Sequence, residues 1–249
     1  MTTQNETPER RKLSRYEVVD ALDRAGMVSA YHGLYQLTRV DLSGVDLSGL
    51  SLEGLDLRHT DLSNACLSGA NLRGANLSGA NLRGANLSEA NLSEASFVGA
   101  NLRASDISGS RLVCADFARA NLSQSDLTGA TAKLGRFTDA NLFGATLRRA
   151  NLSFTDFRGA SLDAANLEGV HLWGTTGNRC EIKNLDFFRV YPVTYTAERM
   201  QIGCMNHAIG DWFEFSDERI DRMAIGALEW WTEHKQTIRE LITKFPAVK

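Results

Sequence analysis

The sequence predicts a β-solenoid, a coil of short strands with four sides per turn, from three observations. A bulky apolar residue recurs at every fifth position from Leu42 to Leu172, and of these 27 positions only Ala132 is not Leu, Ile or Phe. A small residue, usually alanine, stands two places before most of them. Four phenylalanines of this series are twenty residues apart: Phe97, Phe117, Phe137 and Phe157.

Two apolar positions per five residues match neither the 3.6 period of a helix nor the alternation of a long strand, so the chain must turn once per repeat. Four repeats per coil would place the phenylalanines directly above one another, with the bulky and small residues inward. About seven coils at a strand spacing of about 4.8 Å would form a stack roughly 33 Å long. Leu92 and the four phenylalanines represent the expected core, each contributing roughly 1.5–3 kcal/mol.

We expect residues 1–36 to form a polar tail followed by a capping helix. Ser14 and Glu17 have the spacing of a capping box, and Val18 and Leu22 share one side of the helix. A solenoid leaves unpaired strand edges at its ends, so a helix here would cover the first coil. A partner-binding helix is the alternative interpretation.

The solenoid is assigned to residues 37–190. The repeat fails at Gly177, but Ile182 and Phe187 keep the five-residue spacing and predict one further irregular coil.

Residues 191–249 are predicted to form an α-rich extension. Ser216, which two acidic residues follow, is typical of a helix start. A longer amphipathic helix is expected from about Ala227 to Phe245. The segment 194–215 matches neither the helix nor the strand period well enough to assign.

The phrase Ala-Asn-Leu-Ser-Gly, with its variants from Leu42 to Leu172, resembles the pentapeptide-repeat family. The resemblance implies a right-handed quadrilateral β-helix, and such solenoids serve as supports, binding surfaces and DNA mimics, so the repeats alone do not specify a function. The C-terminal region resembles the extension of uncharacterised bacterial and phage members of the family, through these residues: Ile202-Gly203-Cys204, His207, Trp212, Phe215 to Ile220, and Leu228 to Trp231.

Composition excludes several classes of protein. The start of the chain is polar where a signal peptide is apolar, and no run of 18 apolar residues occurs, so we expect a cytoplasmic protein that does not enter a membrane. The four cysteines are widely spread without CxxC pairs, which argues against disulfides and zinc ribbons. A net charge of -3 argues against direct binding of nucleic acid.

No pattern of residues in the sequence indicates a catalytic site, a metal site or a bound cofactor. Cys204 and His207 have the spacing of two metal ligands, but no second pair lies nearby, and a buried thiol with a structural histidine is the preferred interpretation. The other histidines form no nucleophile–base arrangement, and the glycines come one per repeat rather than in a phosphate-binding loop.

Arg83 and Arg103 are twenty residues apart, so they should stack on one side of the solenoid and form a candidate anion contact. Glu89 and Glu94 lie nearby in sequence, so an ordinary solvated surface is the alternative.

Cys114, Leu134 and Phe154 should line one outward corner of three successive coils, with Trp173 on the adjoining side. An exposed apolar stripe of this kind normally marks an interface. The preferred interpretation is that the C-terminal helix folds back over it. The alternatives are that Leu134 turns inward to fill the space left by Ala132, or that a separate partner binds the stripe.

The preferred function is a non-enzymatic structural or protein–protein interaction module with a protein partner of unknown identity. Trp230 and Trp231 diverge by about 100° around their helix, so Trp231 is expected on its buried stripe and Trp230 as a candidate contact. A homodimer through the C-terminal helices is a further candidate assembly.

The alternative function is a DNA-mimicking modulator of DNA gyrase, as in quinolone-resistance members of the family. From Asp41 to Trp173 the chain has 14 acidic and 11 basic side chains, a net charge of -3. A DNA duplex of similar length carries roughly 20 negative charges. The charge of the solenoid therefore makes it a poor mimic of DNA.

Overall fold

The computed structural model describes residues 16–18, 37–177, 182–185, 193–197, 199–202, 205–244 and 246–247. Residues 37–177 form a four-sided β-helix. Parallel bridges join residues that are twenty apart, from Asp41 with Asp61 to Asp156 with Thr176. Each coil therefore contains four five-residue repeats, as the spacing of the phenylalanines predicts.

Each repeat forms one turn of the same kind. In the first repeat, the carbonyl of Leu42 accepts a hydrogen bond from the N–H of Val45 at 3.2 Å, which closes a four-residue turn. The carboxylate of Asp41 accepts from the N–H of Ser43 at 2.9 Å. An Asp or Asn side chain that binds the backbone two residues later favours a turn. This bond explains why Asp or Asn so often precedes the bulky residue.

The third residue of each turn has a positive φ, the left-handed region that glycine enters most easily. Glycine takes this place in many repeats, but fourteen non-glycine residues take it in others, including Ala104, Leu134 and Phe154 with φ of 55°, 58° and 59°. Such a conformation costs an L-residue about 1–2 kcal/mol. The corners are therefore turned by larger residues as well as by the glycine and small residues that the sequence leads one to expect.

The interior of the solenoid consists of the bulky and small residues of the repeats. Leu92 and the four phenylalanines are fully buried. The phenylalanine rings stack with centroid distances of 4.6, 4.8 and 5.1 Å, close to the spacing of paired strands. The stack arises because each ring occupies the same position in successive coils.

The C-terminal region contains a sheet that the sequence did not predict. The strands are β1 (Lys183–Leu185), β2 (Val193–Tyr195), β3 (Arg199–Ile202) and β4 (Met205–Ala208), and they form an antiparallel sheet in that order. Because β1 pairs with β2, the boundary that we expected at residue 190 cuts through this sheet. Ile182 joins the solenoid core, and Phe187 lies outside the described residues.

Three helices follow the sheet: α1 (Ile209–Glu214), α2 (Asp217–Asp221) and α3 (Ala227–Lys244). The hydroxyl of Ser216 accepts from the N–H of Arg219 at 3.4 Å, so the predicted start of α2 is correct. The sheet and helices share a second core, in which the indole N–H of Trp212 donates to the carbonyl of Met200 at 2.7 Å. No helix in the described ranges is both long and apolar enough to cross a membrane.

The sheet meets the C-terminal end of the solenoid. The buried side chain of Gln201 accepts a hydrogen bond from the N–H of Leu172 at 2.6 Å. The side-chain amide of Asn206 donates to the carbonyl of Val170. These two bonds satisfy backbone groups of the last coil that no further coil can reach.

At the other end of the solenoid, residues 16–18 are helical and Val18 is buried in the solenoid core. The other residues of the predicted capping helix, including Ser14 and Leu22, lie outside the described residues.

Candidate interaction site

One side of the solenoid exposes large apolar side chains on its C-terminal half. This apolar face consists of the stacked segments 110–114, 130–134, 150–154 and 170–174, which parallel bridges connect. Leu134, Phe154 and Trp173 are 58%, 49% and 45% exposed, and Cys114 is also exposed. The structure therefore brings the four residues of the predicted stripe together on one surface.

The side chain of Phe154 leans along the solenoid towards the next coil. A Cβ atom added to Gly174 would lie 2.5 Å from Cδ1 of Phe154, so the phenyl ring covers this glycine. The same ring contacts the indole of Trp173, with 5.2 Å between the ring centroids and a tilt of 49°. Phe154 and Trp173 thus form one exposed aromatic pair at the end of the stripe.

The apolar residues at the corners combine exposure with an unfavourable backbone conformation. Cys114, Leu134 and Phe154 have φ of 59°, 58° and 59°. Glycine would remove this strain, and a polar residue would remove the exposed apolar area. Corner residues on every side of the solenoid share this φ, so it is the exposed apolar area at these three corners that favours a binding role.

Two intramolecular explanations of the stripe are wrong. The C-terminal helix does not cover it, because Leu134 and Phe154 stay about half exposed while the extension bonds to the end of the last coil. Leu134 does not turn inward either. Ala132 is fully buried in the place of the bulky residue, and Leu134 itself stays more than half exposed.

This face also carries positive charge, which we did not predict from the sequence. Arg111 and Lys133 are exposed, and neither forms an ion pair in the part of the chain that the structure describes. The four segments of the apolar face contain no acidic residue. Writing the sequence in rows of twenty would have shown this pattern, because it places the four segments in one column.

The two tryptophans of α3 have different environments. Trp231 is buried and packs against Trp212 and Phe213 at centroid distances of 5.7 and 5.6 Å, so it belongs to the C-terminal core and not to a surface. Trp230 is half-buried and stacks on His234 at 4.8 Å. It also lines a small apolar cavity of about 40 Å³. Trp230 stays a candidate contact.

Arg83 and Arg103 are both exposed on one side of the solenoid. The Arg103 guanidinium donates to the side-chain oxygen of Gln124 at 3.1 Å, which leaves it partly engaged. Glu94 pairs with Arg73 at 2.9 Å rather than with either of them. The anion contact stays a prediction.

His207 occupies an aromatic pocket of the C-terminal core. Its ring meets Trp212 and Phe215 edge-on, at centroid distances of 5.4 and 4.9 Å. Burial lowers the pKa of His207, and nearby Arg219 adds to this effect. Cys204 lies outside the described residues, and no group of three or more potential metal ligands occurs within them.

Known proteins share the repeats of this chain. The model of pentapeptide repeats matches eight copies, over residues 36–74, 70–109, 100–133 and 136–174. No curated protein matches the sequence.

Several solved structures are similar to the solenoid. HetL, a pentapeptide repeat protein involved in heterocyst differentiation regulation in the cyanobacterium Nostoc sp. strain PCC 7120, is 23% identical over 66% of this chain and 96% of its own, with a TM-score of 0.44. The plasmid-mediated fluoroquinolone resistance protein QnrB1 is 22% identical over 55% of this chain and 79% of its own, with a TM-score of 0.33. A pentapeptide repeat protein of the Arabidopsis thaliana thylakoid lumen is 30% identical over 45% of this chain and 67% of its own, with a TM-score of 0.22. Because the matched repeats account for more than half of its residues, the chain belongs to the pentapeptide-repeat family.

Proposed function

We propose that this protein is a non-enzymatic interaction module that binds a protein partner through the apolar face. In this proposal a right-handed, four-sided solenoid of about seven coils carries the face, and the C-terminal sheet closes its end. The observation that supports it most is the exposure of two large apolar side chains, Leu134 and Phe154, on one side of the solenoid.

The solenoid is a suitable scaffold because it holds the face rigid before binding. Each corner residue donates its N–H to the next coil: Leu134 to the carbonyl of Ser153 at 3.0 Å, and Phe154 to that of Trp173 at 2.7 Å. Since the backbone is already ordered, little conformational entropy is lost when a partner binds. Even a modest apolar area can then give measurable affinity.

The test compares partner capture by three forms of the full chain in extracts of its own source. The wild-type protein is compared with Phe154→Gly and with Phe143→Ser. Phe143 is 50% exposed but lies on another side of the solenoid, so it controls for the loss of an exposed phenyl ring elsewhere. We expect a partner that the wild type and Phe143→Ser retain and that Phe154→Gly loses, with no decrease in the melting temperature of that variant.

Equal capture by the three forms would refute the proposal. If the three forms capture the same proteins in the same amounts, the apolar face is not the binding surface and the proposed function is wrong.

A further inference from the structure

The spacing of the apolar face matches an α-helix that lies along the solenoid axis. Cys114, Leu134 and Phe154 follow one another in successive coils, and the coil spacing is given by the phenylalanine stack as 4.6–5.1 Å. In an α-helix, residues i+3 and i+7 lie about 4.5 and 10.5 Å beyond residue i along the axis, close to the height of one and of two coils. Side chains on one side of an extended strand recur about every 6.6 Å and would lose register.

The charges of the face favour an acidic occupant. Arg111 and Lys133 flank the stripe and have no ion-pair partner in the described part of the chain. Carboxylates around the face are already engaged. On the adjoining side Asp116 pairs with Arg136 and Asp156 with Arg158. Glu94, at the same corner one coil before Cys114, pairs with Arg73. A partner with carboxylates beside its apolar side chains would therefore be complementary in charge.

The size of the face favours a short segment rather than a second copy of the chain. The exposed parts of Leu134, Phe154 and Trp173 amount to roughly 300 Å² of apolar area. A stable pair of folded proteins buries about 800 Å² on each partner. In a two-fold pairing centred on Leu134, the two copies of Lys133 would also meet and repel each other.

We propose that the apolar face binds an acidic amphipathic α-helix of a partner protein. The helix lies along the solenoid axis with its apolar side chains against Cys114, Leu134 and Phe154. Its carboxylates face Arg111 and Lys133. This inference rests on the proposed function and adds the chemistry, the secondary structure and the direction of the bound segment.

The test uses three labelled synthetic peptides of about 18 residues and measures fluorescence anisotropy with the full chain. The first has leucines at i, i+3 and i+7 spacing and glutamates beside them. The second replaces every glutamate with lysine, and the third has the composition of the first but places its leucines at alternating positions. We expect the first peptide to bind with a Kd on the order of 10–100 μM and the other two at least about tenfold more weakly.

Two protein variants locate the binding. Lys133→Glu should weaken the first peptide about tenfold and reduce the salt dependence of its binding. Leu134→Gly should weaken it by a similar factor without lowering the melting temperature, because glycine relieves the backbone strain at this corner. Phe143→Ser, on another side, should bind like the wild type.

Several results would overturn the inference. Equal binding of the acidic and basic peptides would refute the charge argument, and tightest binding of the alternating peptide would indicate a strand. No binding of any peptide, or binding that neither variant weakens, would refute an acidic helix as the occupant of this face. Concentration-dependent dimers that Leu134→Gly abolishes would show a second copy as the occupant.

The two proposals fail in different ways. If Phe154→Gly loses a captured partner while no peptide binds, the proposed function stands and only the acidic helix is wrong. If capture does not depend on the apolar face, both are wrong.

Discussion

Exchanging glycine and alanine at two neighbouring corners tests whether backbone strain is stored in the solenoid. Gly99 and Ala104 are the third residues of successive turns, with φ of 65° and 55°. A Cβ atom on Gly99 would meet no atom within 4 Å. Gly99→Ala therefore adds strain without a clash, and Ala104→Gly removes strain without losing a large contact.

The expected magnitude combines two opposing effects. A left-handed conformation costs alanine about 1–2 kcal/mol relative to glycine. Glycine in turn loses roughly 0.5–1 kcal/mol more conformational entropy on folding. Gly99→Ala should therefore destabilise the protein by about 1 kcal/mol, and Ala104→Gly should stabilise it by about the same amount.

A buried alanine of the same coil supplies the control. Ala100 points into the core and is 1% exposed. Ala100→Gly removes a buried methyl group, worth roughly 0.8 kcal/mol, and also adds the entropy loss of glycine. It should destabilise the protein by about 1.5 kcal/mol, so one chemical change should have opposite effects at Ala100 and Ala104.

Urea denaturation followed by circular dichroism measures these differences, with a thermal melt as a second readout. One kcal/mol corresponds to about 2–4 °C in a chain of this size. The reasoning is refuted if Ala104→Gly lowers stability as Ala100→Gly does, or if Gly99→Ala has no effect.

Four further outcomes are expected. Leu92→Asp buries a charge in the solenoid and should unfold several coils together; a circular dichroism melt like that of the wild type would contradict this. Gln201→Ala leaves the N–H of Leu172 without its acceptor, so stability should fall by about 1–3 kcal/mol and hydrogen exchange at that amide should accelerate. Burial lowers the pKa of His207 from its ordinary value of 6.5, so the unfolded chain binds the proton first as the pH falls, and the stability of the protein should decrease below that value. The urea midpoint of His207→Gln should therefore fall less than that of the wild type between about pH 7 and 5. A supercoiling assay with DNA gyrase should show no inhibition at micromolar protein, since the net charge of -3 over residues 41–173 is far below the roughly 20 negative charges of DNA of that length.

The solenoid could be predicted because its sequence is periodic. The five-residue period gives the inward positions, and the spacing of Phe97 and Phe117 gives the number of repeats per coil. Both follow from side-chain identity alone. The strain at the corners was harder to predict, because Leu134 and Phe154 show no sign in the sequence of adopting a glycine-like φ.

The C-terminal sheet could not be predicted by the same means. Its strands have three or four residues, too few for an alternating pattern to stand out. Where the extension docks depends on Gln201 and Asn206, and their bonds to the last coil join residues 29 and 36 positions apart. For that reason the expected cover over the apolar face was wrong, while the start of α2, which the Ser216 side chain caps locally, was correct.

The equivalence of the four sides has a consequence for how such a chain can change in length. All repeats place the same two kinds of residue inward, so inserting a single repeat between Phe154 and the last coil would leave the core pattern intact. It would turn everything after the insertion, including Trp173, by a quarter of a circle, and the C-terminal sheet would then sit at a different angle to Cys114, Leu134 and Phe154. Inserting four repeats would instead move the sheet along the axis by one strand spacing without rotation. The angle between the apolar corners and the C-terminal sheet is thus adjustable in steps of 90°, through changes of five residues at a time.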